Sequence, residues 1–167
     1  MKRSQAITLV GFNAWANRRV FAKAARLPSA TLRAAVSSLS YPSPMATLVH
    51  ILDTQWYWRE GAQLGLLPVE TLRPSNFPNL RSLRRRWDEE DRLLLGFVEA
   101  LTDRRLTKSV TYAWPRARPR TRPLWHIITH IVTHATQHRS ELALFLSTKN
   151  LSPGNLDFIR FSAKARE

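Results

Sequence analysis

Residues 126–141, HIITHIVTHATQHRSE, hold four of the five histidines in this chain, each four positions after the last. Imidazole binds zinc, nickel, copper and iron(II), and a His-x-x-x-His pair on a helix sets two rings on adjacent turns, where both reach one ion. The four rings cannot share one direction. A helix turns about 100° per residue, so each four-residue step drifts about 40° and the ladder fans over about 120°. With Leu124 as zero, Ile128, Ile131, Ala135 and Leu142 fall within about 40° of it, and Ile127 and Phe145 near 300°, which defines the buried face. His138, at about 320°, lies inside that face and His134, at about 280°, lies at its border. His130, near 240°, is intermediate, and His126, near 200°, faces solvent. His134 and His138 are therefore the candidate pair, and a third ligand has to come from another helix. The competing reading is structural: a histidine near a core is more often hydrogen-bonded than ligating, and this spacing also arises by accident.

The elements that must position these rings follow from periodicity. Apolar residues at three- and four-residue steps predict a first helix over Gln5–Leu27. A connector over Pro28–Pro44, with a helical turn near Thr31–Val36, leads to a second helix running to Leu64, capped by Ser43 with Pro44 at its first position. Three prolines make Leu66–Pro78 a loop. A third helix is expected over Leu80–Thr102, a short strand or hairpin arm over Thr107–Trp114, then an exposed proline- and arginine-rich loop. A fourth helix covers Pro123–Ser147, and the tail ends in a short apolar segment that can pack back. The expected architecture is an all-α four-helix bundle, with a short β-hairpin before the last long helix, in one domain over residues 1–167. His50, the remaining histidine, lies on the second helix, near 140° from Met45 in a stripe with Asp53 and Tyr57. It joins the pair only if the second and fourth helices meet there, and Asp53 is placed to orient a ring through its other nitrogen. The aromatic run Trp56, Tyr57, Trp58 reads first as packing; the sharper reading makes Tyr57 a pocket wall.

Composition narrows the chemistry. With no cysteine, disulfides, thiolate metal sites and cysteine nucleophiles are all excluded. No apolar run is long enough for a membrane span. The basic, broken apolar start reads as the first helix of a cytoplasmic protein rather than a signal peptide. The net charge is +14. It concentrates at Arg81–Arg86 and Arg116–Arg122, which raises the question of an anionic partner.

Four stretches taken together, FNAWANRRVF, ATLVHILDTQWYW, HIVTHATQHRSEL and LDFIRF, resemble the DinB/YfiT family of DNA-damage-inducible, metal-binding proteins, in order and over nearly the whole chain. That resemblance implies a four-helix bundle with a divalent metal held by one histidine of the second helix and two of the fourth, which match His50, His134 and His138. It is the resemblance that selects His50. His130 matches a position that is often histidine in the family but is not counted among the usual ligands. Ser140 stands where the family commonly has glycine, and Phe161 near a common tyrosine, so a hydroxyl placed to reach a substrate is missing.

Three histidines leave open metal positions, the pattern of a catalytic rather than a structural site. The family includes S-transferases and isomerases that use low-molecular-weight thiols such as bacillithiol or mycothiol, and the absence of cysteine fits a thiol arriving as cosubstrate. The resemblance thus implies an enzyme activating a thiol or water, of S-transferase, isomerase or hydrolase type, with zinc or nickel ahead of manganese or iron. Glu141, at about 260°, is a candidate acid behind the ligands, and Arg139 reads as structural, pairing with an acid. Two alternatives stand beside this: a non-catalytic metal-binding stress-response protein, and a basic nucleic-acid-binding protein, for which no recognised motif is present. Homodimerisation is compatible with the family.

Overall fold

The computed structural model describes residues 1–114 and 117–164. Helices cover Arg3–Ala24 (α1), Ser29–Arg33 (α2), Pro44–Leu64 (α3), Leu80–Glu99 (α4), Asp103–Thr107 (α5), Leu124–Ser147 (α6) and Phe158–Lys164 (α7). A two-stranded antiparallel hairpin, β1 (Ser109–Tyr112) and β2 (Arg120–Pro123), precedes α6. The protein is mostly helical. Its four long helices touch in cyclic order, α1 against α6, α6 against α3, α3 against α4 and α4 against α1.

Local chemistry sets the ends of the helices that matter. The Ser43 hydroxyl accepts the Ala46 amide at 3.1 Å, and Pro44 takes the first helical position, where a missing N–H costs nothing. Gly65 ends α3 in the left-handed region, φ 76°, which a side chain would strain. Asn79 caps α4 by accepting the Ser82 amide at 2.9 Å. The expected third helix is shorter than its periodicity suggested. It stops at Glu99, and Thr102 caps a new short helix by accepting the Arg105 amide at 3.1 Å. The cap competes with helix continuation because a threonine oxygen satisfies an amide that the longer helix would have used.

The hairpin is anchored to the end of α3. The Leu67 amide donates to the Ala113 carbonyl at 3.2 Å. Gly61 permits this approach: a Cβ there would lie 2.5 Å from Leu67 Cδ2. Along β1, Val110 and Tyr112 point inward, and their register partners on β2 are Arg122 and Arg120. Directly paired residues share a sheet face, so both arginines stand on the side of Val110 and Tyr112. The tail packs back as α7 against α1, with Phe161 near the rings of Phe12, Trp15 and Phe158. No helix of the described residues is long and apolar enough to cross a membrane.

The apolar interior surrounds two polar devices. One is a buried ion pair between α3 and α4, in which the Arg59 guanidinium donates through Nε and Nη2 to the two oxygens of Glu90. These residues are 4% and 0% exposed. The other is a hydrogen-bonded belt linking α6, α1, α3 and α4, centred on buried Arg139. The first arginine cluster is partly neutralised within its own helix, since Arg84 pairs with Asp88 and Arg86 with Glu89 and Glu90. In the second, Arg118, Arg120 and Arg122 are exposed, while Arg116 lies outside the described residues.

Removing one partner of a buried pair leaves the other charge with little compensation, at about 3–5 kcal/mol. Glu90→Ala is therefore expected to lower the free energy of urea unfolding by about 3 kcal/mol, because Glu60 and Gln63 still hold Arg59 in part. Asp88→Ala, which removes an exposed pair, is expected to change it by less than about 1 kcal/mol. Equal losses in the two variants would show that the Arg59–Glu90 pair is not a principal tie.

Candidate metal centre

α3 and α6 meet where both carry histidine. One ring nitrogen of each of His50, His134 and His138 lies within 4.8 Å of the others. Ring centroids are 4.8 Å apart for His50–His134, 4.9 Å for His50–His138 and 4.6 Å for His134–His138. Two nitrogens bound to one zinc at about 2 Å each are at most about 4 Å apart, so small side-chain rotations bring this set onto one ion. His50 Nε2 and His134 Nε2 already face each other at 3.0 Å. His134 Nδ1 is buried with no partner among the described residues.

The donor set fits a divalent cation electrostatically too. Burial lowers the His50 pKa to about 4, aided by His138 and opposed by Glu141. Burial lowers His134 to about 3, aided by His50, His138 and His130. Both imidazoles are thus neutral at physiological pH, with lone pairs free for coordination, and neither adds a positive charge to repel the ion.

Glu141 stands behind His138, accepting from its Nδ1 at 3.3 Å, which leaves Nε2 with its lone pair. Glu141 also accepts the Ser40 amide at 3.1 Å and the Ser40 hydroxyl at 2.7 Å. Burial works against its charge, but these hydrogen bonds outweigh it and hold the carboxyl below its ordinary range. The carboxylate thereby pins the loop before α3, whose next residue, Tyr41, stacks on His50 with centroids 3.8 Å apart. Tyr41 also meets His138 edge-on at 5.5 Å.

On another side the triad adjoins an open cleft of about 250 Å³, lined by Asp53, Thr54, Tyr57, Trp58, Thr71, His130 and His134. Tyr57 thus lines this cleft. His130 is exposed beside Trp58, ring centroids 5.3 Å apart, and 5.5 Å from His134. Asp53 lines the cleft but does not orient a histidine. Its carboxylate accepts the Leu72 amide at 2.6 Å, fastening the loop after α3, and no hydrogen bond joins it to an imidazole among the described residues. Arg139 is structural, as its angle from His138 suggests, but no acid touches it among the described residues. It donates to Asn13, Asn17 and Thr136. His126 is exposed, as the helical angles require.

Ser40, Tyr41 and Trp58 were not legible as site residues. The SYPSP stretch carries turn and cap signals alone, and Trp58 is indistinguishable in sequence from its aromatic neighbours.

The depressed histidines make a stability signature. The unfolded chain takes up protons near the ordinary pKa of about 6.5, whereas in the folded protein His50 resists until about pH 4 and His134 until about pH 3. Stability of the metal-free protein is therefore full above about pH 6.5 and declines as pH falls towards about 4. The urea midpoint should follow this fall, and His134→Ala should flatten it. Parallel slopes in the two proteins would contradict the assignment.

No curated protein matches the chain. The DinB family model matches residues 1–166. The chain belongs to the DinB family.

Proposed function

We propose that the chain is a divalent-metal-dependent enzyme built on a DinB-type four-helix bundle, activating a low-molecular-weight thiol or water for S-transfer, isomerisation or hydrolysis. One observation carries the reading: three converging imidazoles from two helices stand beside an open cleft. His50, His134 and His138 would hold zinc or nickel, with manganese or iron as weaker fits to an all-imidazole set. A bound divalent cation supplies a Lewis acid that lowers the pKa of a thiol or water at its open positions.

The protein's own residues do the rest. Glu141 fixes the His138 tautomer and ring direction. Tyr41 covers one face of His50 and directs access to the cleft side. Tyr57 and Trp58 wall that cleft. The chain has no cysteine, so any thiol arrives as cosubstrate. The net charge of +14 favours encounter with an anionic one. The Tyr41 cover and the Ser40–Glu141 clamp also suit a non-catalytic metal-binding protein of the stress-response kind, and activity decides between the two.

Elemental analysis of untagged protein tests the centre. We expect about one metal per chain in the wild type, and loss in His50→Ala, His134→Ala and His138→Ala. His126→Ala should keep its metal, and His130→Ala should show a smaller effect. Stoichiometric metal in any of the first three would remove that residue from the ligand set. Thiol consumption assayed with low-molecular-weight thiols and electrophiles, with and without chelator, then tests catalysis. Loaded protein without chelator-sensitive turnover would leave the metal-binding reading in its place.

A further inference from the structure

The histidine ladder does not end at the triad. A second cavity, of about 220 Å³, is lined by Trp58, Tyr112, Arg122, His126, Ile127 and His130. Trp58 and His130 line both this cavity and the cleft beside the triad, so the two adjoin along one face of α6. The lining has two chemical halves. Trp58 and Tyr112 meet edge to face at 5.1 Å and, with Ile127, form an apolar wall. Arg122 and His126 supply nitrogen donors, and no carboxylate belongs to the lining among the described residues.

Arg122 reaches this place through the hairpin. It pairs in register with Val110 and so stands on the same face as Tyr112. It has no salt-bridge partner among the described residues, and its side-chain hydrogen bond goes to the Thr121 carbonyl at 2.9 Å. An arginine fork without an acid, beside an apolar slot, matches a planar carboxylate that can accept two parallel hydrogen bonds. His126 and Ile127 belong to the first turn of α6, where the helix dipole also favours an anion.

The geometry points to a subsite for the carboxylate end of an elongated organic substrate or cosubstrate. Its apolar segment would lie against Trp58 and Tyr112, its carboxylate on Arg122 and His126, and its reactive end at the His50–His134–His138 triad. His126 and His134 are eight residues apart on one helix, a rise of about 12 Å, which sets the reach of such a ligand. What happens at the triad rests on the function proposed above, whereas the anion subsite needs no metal.

The test uses the full chain, stripped of metal so that a carboxylate cannot bind an ion at the triad. It is titrated with 4-phenylbutyrate and with the neutral isostere 4-phenylbutyramide, by calorimetry and by NMR of the histidine side chains. The carboxylate is expected to bind about tenfold tighter than the amide and to move the His126 and His130 signals. Arg122→Gln should abolish that preference, and Arg122→Lys should retain part of it, because an ammonium keeps the charge but not the fork. Absence of saturable binding, equal affinity for the two probes, or an unchanged preference in Arg122→Gln would each overturn the subsite. The same titration on His134→Ala separates the two ideas. Carboxylate preference without metal-dependent turnover in the wild type would sink the enzyme reading alone. Metal-dependent turnover without carboxylate preference would sink the subsite alone.

Discussion

The rest of the structure depends on a charge held in the middle of the protein. Arg139 is 2% exposed, and its guanidinium donates to the side-chain oxygens of Asn13 and Asn17 on α1 and of Thr136 on α6. No acid touches it among the described residues. The compensation arrives by relay: Asn13 Nδ2 donates to Gln55 Oε1 at 3.0 Å, and Gln55 Nε2 donates to Asp91 Oδ1 at 2.9 Å. Every donor in this line points from the cation towards the anion, so two amide dipoles are aligned between Arg139 and Asp91. Burial lowers the Arg139 pKa to about 10 and raises Asp91 to about 6, so both remain charged at neutral pH. An isolated buried charge is very costly, which gives the belt a strong preference for one arrangement of α6, α1, α3 and α4.

That arrangement is what makes the centre. Arg139 follows His138 directly, and the two side chains leave the helix about 100° apart. Once Arg139 is fixed among the asparagines of α1, the rotation of α6 is set, and His134 and His138 are turned towards α3. Gln55, one belt member on α3, lies five residues after His50, so the same network also fixes the helix that supplies the third imidazole. Glu141 then adds the loop before α3, through Ser40, to a site already formed by helices. The three histidines themselves are modest glue, because a single hydrogen bond, between His50 Nε2 and His134 Nε2, joins their ring nitrogens among the described residues.

Sequence made the rotational part of this legible. The 3.6-residue period sorted the ladder into inward His134 and His138 and outward His126, and cap residues Ser43 and Pro44 located the start of α3. It did not place His50. Its stripe lay off the apolar face of its own helix, and helical periodicity holds no information about which two helices meet. Family resemblance supplied that pairing. Asp53 shows the converse failure. Its one-turn spacing from His50 suggested a role on the ring, but the Leu72 amide is a stronger claimant on a carboxylate, and the loop after α3 that carries it could not be folded from its prolines alone. Tyr41 was invisible for a related reason, since its stacking depends on where a loop is tied, and the tie is made by Glu141 about a hundred residues later.

One helix therefore serves three environments at once. Arg139 points into the polar belt, His134 and His138 into the triad, and His130 and His126 along the surface cavities. Because these directions are fixed relative to one another by the helix itself, a rotation of α6 cannot improve one environment without spoiling the others. The four-residue histidine spacing drifts about 40° per step, and that drift carries the ladder from a buried centre to an open cavity. A strict alignment of four rings would have given one crowded stripe. The slow rotation of the ladder instead places a buried and a half-buried histidine, His138 and His134, and an exposed lining pair on a single rigid element, which is why the deep end and the open end of the site are held in fixed register.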